Sequence, residues 1–310
     1  MPMIIFDGNT RAVQIEHEVR DSVAHVLREK NTALTIAAIL FREDTGSQLY
    51  TRLKREAAAR VGIKYQVYDF SLTDQVEVVR QTIQQLNEDE TITGIIVQKP
   101  WRKIWLQANE SLDKATAVES ADYDSWWQRV MSSVAPEKDV DGLHPQTISA
   151  IKDGSWEEKG LVLPATCQSV LDALSSAVSL QLGSLGKTVI IGRTDLLGIP
   201  LFYVLKQKGV EVELIGIKEL AQRQSSGAKL LDADVIVSAT GQRHLITCDM
   251  VKDGVVLIDV GEPQPDVDRA SVAPKAAFLT PVPGGIGPLT VSFLLKNATI
   301  LAAKCQTLHQ

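Results

Sequence analysis

Cysteine is scarce in this chain of 310 residues. The three cysteines are odd in number and widely separated, at Cys167, Cys248 and Cys305. Such spacing supports neither a disulfide framework nor the paired CxxC motifs of zinc sites. Two closely spaced aspartates, Asp139 and Asp141, have only His144 near them, which is too little for a metal site. We therefore expect neither a disulfide nor a bound metal.

Positive charge and long apolar runs are also in short supply. The chain has 32 Lys and Arg against 38 Asp and Glu, for a formal net charge of −6. No basic face is available for a phosphate backbone, so nucleic acid is not an expected partner. We expect no membrane span, because apolar runs in the sequence stay short of roughly 20 residues. The N-terminal stretch lacks the basic region and the apolar region of a secretion signal. These features predict a cytoplasmic protein without a membrane segment.

What the sequence does contain is a double series of strands and helices. Apolar runs of strand length stand at 33–41, 64–70, 93–100, 187–192, 210–216, 234–241 and 255–261. Helical spacing and helix stop signals separate most of them. This order predicts an α/β fold of two βαβ-type domains, with parallel sheets flanking a cleft and a Rossmann-like second domain. We place the first domain at 1–148 plus 288–310 and the second at 149–287.

The first candidate site lies on the helix predicted at 47–62. Tyr50 and Lys54 stand at i, i+4, on one helix face, with Ser47 one turn earlier. A partly desolvated lysine beside a phenol is suited to proton transfer at neutral pH. Gln98 ends a predicted strand, where open α/β sheets bind ligands, and can orient the amine. A solvated lysine and a merely polar strand end are the alternatives.

The stretch KDVDG, residues 138–142, supplies a second candidate. A buried aspartate such as Asp141 can accept paired hydrogen bonds from a guanidine-like ring edge. A structural turn, closed by Gly142, is the alternative.

Two glycine-containing loops suggest a cofactor site. In VIIGRTDLLGIP, Gly192 and Gly198 bracket a loop that would bring a helix N-terminus to a pyrophosphate, and Arg193 is placed to meet a 2′-phosphate. The loop is not GxGxxG, so a turn without a ligand is the alternative. In PVPGGIGP, residues 281–288, prolines stiffen the backbone and glycines permit close approach to a flat ring.

The order of these motifs resembles one family across nearly the whole chain. The segments YTRLK, GIIVQ, PEKDVDG and TPVPGGIGPLT are similar to those of bifunctional methylenetetrahydrofolate dehydrogenase/methenyltetrahydrofolate cyclohydrolase (FolD). The resemblance implies oxidation of 5,10-methylenetetrahydrofolate with NADP, then hydrolysis of the 5,10-methenyl product to 10-formyltetrahydrofolate. It also implies a homodimer and a place in one-carbon metabolism and purine biosynthesis.

The resemblance also assigns residues. The implied catalytic residues are Lys54 and Gln98, with Tyr50 stacking on the pterin and Asp141 binding its edge. The implied substrate site further includes Ser47, Pro283, Gly284 and Gly285. The implied cofactor site, in a nicotinamide-binding domain, comprises Gly192, Arg193, Thr194, Gly198, Thr240, Gly241 and Ile286.

Several positions depart from the family pattern. Ile217 stands where the family has a polar residue near the 2′-phosphate, so NAD stays open beside NADP. Lys99 and four tryptophans (Trp101, Trp105, Trp126 and Trp127) occupy an enlarged segment, which is either a contact surface or locally packed. The alternative functions are a folate-binding protein that retains cyclohydrolase activity but has a lost or NAD-dependent dehydrogenase activity, and a shikimate dehydrogenase-like enzyme.

Overall fold

The computed structural model of the protein describes residues 3–31, 33–109, 117–180 and 185–304. The chain forms two compact units. The six-stranded unit comprises Met1–Ile15, Ile151–Ser155 and Leu163–Phe293, and the three-stranded unit comprises Glu16–Ala150, Trp156–Val162 and Leu294–Gln310. The domain boundaries predicted from the sequence stay a prediction, and Cys305 lies outside the described residues.

The three-stranded unit is built on a parallel sheet in the order β3-β2-β4. Its strands are β2 (Thr35–Phe41), β3 (Lys64–Phe70) and β4 (Gly94–Val97). The central strand β2 is buried along its whole length, as expected for a strand covered on both faces. Helices α2 (Thr45–Val61) and α3 (Val76–Glu88) make the crossovers. The predicted βαβ order of this unit is confirmed.

The six-stranded unit has a parallel sheet in the order β1-β9-β8-β7-β5-β6. Its strands are β1 (Ile4–Ile5), β5 (Thr188–Ile191), β6 (Val212–Ile215), β7 (Val235–Ser238), β8 (Val256–Asp259) and β9 (Phe278–Thr280). From β5 the chain goes first to β6 on one side and then to β7 on the other. Ligands of doubly wound sheets bind at such a reversal, outside the carboxyl ends of the strands. The predicted α/β class with a Rossmann-like second sheet is confirmed.

The remaining helices connect and cover these sheets. Their bounds are α1 (Gly8–Lys30), α4 (Arg102–Ala108), α5 (Ala117–Met131), α6 (Pro145–Asp153), α7 (Ala165–Ser179), α8 (Gly198–Gln207), α9 (Ile217–Ser226), α10 (Arg269–Val272) and α11 (Ile286–Lys304). Helix α1 begins at Gly8, where the Asp7 carboxylate accepts hydrogen bonds from the Thr10 backbone N–H and hydroxyl at 3.0 and 2.6 Å. The short strands β1 and β9 were not predicted, because two or three residues carry no readable alternation.

The tryptophan-rich segment is mainly packed within its own unit. Trp105, Trp126 and Trp127 contact one another in a chain of rings whose centroids are 5.9 and 6.3 Å apart. Phe41, at the end of β2, meets Trp126 edge-on at 5.2 Å. Trp101 differs, because 49% of its surface is exposed. Residues 110–116 of this segment lie outside the described part of the chain.

Helix α11 corrects one expectation from the sequence. It spans 19 residues with a hydropathy of 1.4 over an 18-residue window, which matches a membrane span in length and composition. However, 67% of that window is buried inside the protein. Its apolar character is therefore accounted for by packing, as in the core helix of a globular protein.

Candidate functional site

The Lys54 amine and the Gln98 amide meet inside the three-stranded unit. Lys54 Nζ donates to Gln98 Oε1 at 3.0 Å, and the two residues are only 7% and 5% exposed. The topology brings them together, because Gln98 directly follows β4 and α2 follows β2, whose carboxyl ends lie side by side. The backbone N–H of Gln98 also bonds to Ile39 of β2 at 2.9 Å. The sequence alternative of a solvated lysine is therefore wrong.

Three buried polar atoms beside this pair lack a hydrogen bond of normal geometry among the described residues. They are the Gln98 amide nitrogen, the Tyr65 hydroxyl and the Thr51 hydroxyl. Buried polar groups nearly always have partners, so such a group signals a place for a ligand or water. Burial and the charge of Asp141 raise the pKa of the Tyr65 hydroxyl, and Gln98 opposes that rise. Sequence analysis missed Tyr65, because it resembles any other aromatic residue of a strand.

Asp141 shares the electrostatic environment of Lys54. Burial raises the pKa of the Asp141 carboxyl above its ordinary value, and the positive charge of Lys54 opposes that rise. The turn that carries it is held by Asp139, whose carboxylate accepts backbone hydrogen bonds from Gly142 at 3.1 Å and His144 at 2.6 Å. Burial raises the pKa of the Asp139 carboxyl to about 7, and the hydrogen bond from the His144 backbone N–H opposes that rise. Asp141 is therefore close enough to Lys54 for their charges to interact, and its place in one site with Lys54 and Gln98 stays a prediction.

The predicted residues Tyr50 and Ser47 lie one and two turns before Lys54 on α2. The Ser47 hydroxyl is engaged in the helix cap, donating to Asp44 Oδ2 at 3.0 Å. Tyr50 is half-buried, which leaves part of its ring available for stacking. Their predicted contacts with substrate stay predictions.

Asp44 is a site-organising residue that the sequence analysis did not identify. Its Oδ1 accepts from the backbone N–H groups of Gly46 at 3.0 Å and Ser47 at 3.2 Å. Its Oδ2 accepts from the backbone N–H of Trp101 at 3.0 Å, in the loop that follows Gln98. One carboxylate thus ties the start of α2 to the segment after β4. Its position just before a helical pattern is an N-cap signal, but nothing local indicates the Trp101 contact.

The predicted cofactor turn follows β5 in the six-stranded unit. Gly192 has a φ of +120°, and a Cβ there would lie 2.7 Å from the carbonyl oxygen of Ala239, which follows β7. A Cβ at Gly198 would lie 1.7 Å from the carbonyl oxygen of Gly192. Both positions therefore require glycine. Among the described residues no side chain caps the N-terminus of α8. The Ile199 N–H bonds to the Thr194 carbonyl at 3.0 Å and Pro200 has no N–H, so the Gly198 N–H is placed to meet a pyrophosphate.

Arg193 and Thr194 are the exposed side chains of this turn. Arg193 Nη1 forms an ion pair with Glu219 Oε1 at 2.8 Å, and its Nη2 donates to the Leu214 carbonyl at 3.3 Å. The guanidinium is therefore already held by a carboxylate at the carboxyl end of β6. Glu219 was not recognised from the sequence, because a glutamate in the first turn of a helix is ordinary.

Thr240 and Gly241 are fixed by buried carboxylates behind β7. Asp266 Oδ2 accepts from the backbone N–H of Thr240 at 2.7 Å and from its hydroxyl at 2.9 Å. Gly241 has a φ of +67°, and a Cβ there would lie 2.6 Å from the Glu262 carbonyl oxygen. Asp259 in turn holds the backbone of Asp266 at 3.2 Å. This framework presents the Thr240–Gly241 turn next to Gly192.

The proline- and glycine-rich loop before α11 packs on the start of α1. Gly8 donates its backbone N–H to the Gly284 carbonyl at 3.0 Å. Gly284 has a φ of +97°, and a Cβ at Gly285 would lie 2.5 Å from the Pro281 carbonyl oxygen. Pro283 is exposed, whereas Ile286 is only 2% exposed. A substrate contact for Pro283, Gly284 and Gly285 and a cofactor contact for Ile286 stay predictions.

The two sets of residues support different chemistry. The three-stranded unit offers a buried amine oriented by an amide, with a carboxylate nearby, which suits proton transfer. The six-stranded unit offers a glycine turn, an uncapped helix end and a cation at a sheet reversal, which suits a phosphorylated dinucleotide. Among the described residues no group of His, Cys, Asp and Glu is arranged to hold a metal ion.

Two family models match the chain. Residues 6–120 match the catalytic domain of tetrahydrofolate dehydrogenase/cyclohydrolase, and residues 164–306 match its NAD(P)-binding domain. The bifunctional protein FolD of Lactobacillus gasseri is 35% identical over 97% of this chain and 98% of the relative. That of Methanosarcina barkeri is 34% identical over 94% of each chain.

Solved structures agree with these matches. The bifunctional FolD enzyme of Campylobacter jejuni has a TM-score of 0.76 at 28% identity, covering 98% of this chain and 99% of the other. The Trypanosoma brucei FolD, complexed with NADP and an inhibitor, has a TM-score of 0.79 at 26% identity over the full length of both chains. The chain belongs to the tetrahydrofolate dehydrogenase/cyclohydrolase (FolD) family.

Proposed function

We propose that the chain oxidises 5,10-methylenetetrahydrofolate to 5,10-methenyltetrahydrofolate with NADP and then hydrolyses the product to 10-formyltetrahydrofolate. The observation that carries the proposal is the buried hydrogen bond of 3.0 Å between Lys54 and Gln98, in a chain whose two halves match the two domains of this family. Burying this amine away from water costs free energy. Such a cost is expected of a lysine with a chemical role and not of a purely structural one.

The dehydrogenase step requires alignment of two rings and no acid or base. When bound, NADP accepts the hydride. The turn residues Gly192 and Gly198 fit its pyrophosphate, because neither carries a side chain and, among the described residues, no side chain caps the α8 N-terminus beside them. The stiff Pro283–Gly285 backbone keeps side chains away from the place where we expect the rings to meet.

The cyclohydrolase step requires proton movement at a carbon that water attacks. Lys54 Nζ accepts a proton from the water and returns it to the ring nitrogen that leaves. Gln98 fixes the direction of the amine through its carbonyl oxygen. Its amide nitrogen lies beside the Tyr65 hydroxyl and makes no hydrogen bond of normal geometry among the described residues, so it can donate to a polar atom of the pterin. Asp141 accepts the N–H groups of the pterin edge.

A continuous absorbance assay tests the proposal. The protein is incubated with 5,10-methylenetetrahydrofolate and NADP, and the reduced nicotinamide and the methenyl intermediate are followed at separate wavelengths. The proposal expects reduced nicotinamide to accumulate while the methenyl signal decays. If methenyltetrahydrofolate supplied directly is hydrolysed but no dinucleotide is reduced from the methylene compound, the chain is instead a cyclohydrolase without dehydrogenase activity.

The assembly and cellular role follow the family resemblance. We expect a cytoplasmic homodimer that supplies one-carbon units, including those for purine biosynthesis. Light scattering at micromolar concentration, with an expected mass of twice the 33.9 kDa chain, tests the dimer.

A further inference from the structure

The turns after β5 and β6 hold two opposite determinants of cofactor choice, Arg193 after β5 and Glu219 after β6. In doubly wound sheets the loop after the second strand meets the adenosine ribose. An acidic residue there favours a free 2′-hydroxyl, as in NAD, whereas an arginine nearby favours the 2′-phosphate of NADP. This chain has both, and they bind each other, since Arg193 Nη1 lies 2.8 Å from Glu219 Oε1.

The carboxylate is anchored independently of the arginine. Glu219 Oε2 accepts the backbone N–H of Gly216 at 3.1 Å, and Glu219 lies in the first turn of α9, where the helix dipole favours negative charge. Hydrogen bonding from its own backbone N–H and the charge of Arg193 lower its pKa, so it is ionised at neutral pH. A phosphate that displaced it from Arg193 would still meet an anion in the same turn.

We propose that Glu219 is a specificity-determining residue, which competes with the 2′-phosphate for Arg193 and so lets this enzyme use NAD nearly as well as NADP. The inference rests on the proposed function and refines its cofactor site. Ile217 in the same turn is 37% exposed and offers a phosphate no polar side chain. Because the ion pair is half-exposed, with 52% and 39% of its side chains accessible, it is weak enough to open, so NADP is disfavoured and not excluded.

Isothermal titration of NADP and of NAD into wild type and Glu219→Gln tests this inference. The glutamine keeps an oxygen for the Gly216 N–H and removes only the charge. We expect Glu219→Gln to bind NADP about tenfold more tightly, as for the loss of one repulsive charge at a solvent-exposed site. NAD affinity should stay the same or fall slightly. The wild-type dissociation constants for the two dinucleotides should lie within about tenfold.

Glu213→Gln is a matched control. Glu213 lies on β6 and, like Glu219, forms an ion pair, with Arg223 at 2.8 Å, so Glu213→Gln changes the charge of the unit equally. The ratio of NADP to NAD affinity should not change in this variant. In Glu219→Gln/Arg193→Gln the gain in NADP affinity should disappear, because the group that receives the phosphate is gone.

Four outcomes would overturn the inference. They are no change in NADP affinity in Glu219→Gln, an equal change in affinity for both dinucleotides, the same shift of the NADP-to-NAD ratio in the control, and a wild-type preference for NADP above about a hundredfold. Failure of the proposed function looks different, because then neither dinucleotide binds the wild-type protein.

Discussion

Replacing Asp44 should loosen the active site as well as destabilise the protein. The carboxylate is 2% exposed. It accepts hydrogen bonds from Gly46, Ser47 and Trp101 at 3.0 to 3.2 Å. It thereby ties α2, which carries Lys54, to the loop after β4. Asp44→Ala removes all of these contacts and leaves buried backbone N–H groups without partners.

The cost follows from the contacts that are lost. Loss of an N-cap side chain costs about 1 kcal/mol, and loss of a charged acceptor for a buried N–H costs about 1.5–3 kcal/mol. We therefore expect Asp44→Ala to lower the free energy of unfolding by about 3 kcal/mol. Asp44→Asn, which keeps one acceptor oxygen, should lose about 1 kcal/mol. Urea unfolding followed by tryptophan fluorescence measures both.

Activity distinguishes positioning from stability alone. At a temperature where Asp44→Ala is folded, cyclohydrolase kcat should fall about tenfold, because Lys54 and Gln98 lie on the two segments that Asp44 joins. The variant Asp74→Ala is the control, because its carboxylate caps only the exposed Ser71 turn, at 2.8 Å. Normal kcat in folded Asp44→Ala, or an unfolding midpoint equal to that of the control, would refute the reasoning.

Three further predictions follow from the glycines and from Asp141. Gly284→Val should raise the folate KM or slow hydride transfer, because φ is +97° there and Asn9 lies 3.2 Å from the added Cβ; unchanged kinetics would contradict it. Gly192→Ala should weaken NADP and NAD binding alike, about tenfold or more in titrations, because its Cβ meets the Ala239 carbonyl at 2.7 Å; a loss confined to NADP would be inconsistent with this. Burial raises the pKa of the Asp141 carboxyl above its ordinary value of 3.8. The contribution of this group to the free energy of unfolding is therefore lost as pH rises from 3.8 through the raised pKa. In Asp141→Asn the thermal unfolding midpoint should not show this decline with pH. Parallel pH profiles of the midpoint for the variant and the wild type would rule this out.

Local patterns were sufficient to predict the parts of the site that depend on one element. The i, i+4 spacing of Tyr50 and Lys54 and the strand-end position of Gln98 are properties of a helix and of a parallel sheet. The Lys54–Gln98 contact then follows from adjacent carboxyl ends. Likewise, the glycine at 192 could be recognised because it directly follows a strand, at the start of the loop that leads to the next helix.

Contacts between distant segments could not be predicted in this way. Asn297 Nδ2 donates to the Val140 carbonyl at 3.0 Å and steadies the turn that carries Asp141, yet the two residues are 157 positions apart. Arg193 was interpreted as a phosphate ligand, without the carboxylate of Glu219 that holds it. Periodicity reports which face of an element is buried and not which side chain of another element it meets.

The central claim is that Lys54 moves protons in the hydrolysis step and is not needed for hydride transfer. Its most direct test is the Lys54→Met variant, assayed for both activities on the same folded sample. The account predicts undetectable cyclohydrolase activity with measurable reduction of dinucleotide and accumulation of the methenyl intermediate. Equal loss of the two activities, or hydrolysis at the wild-type rate, would contradict it.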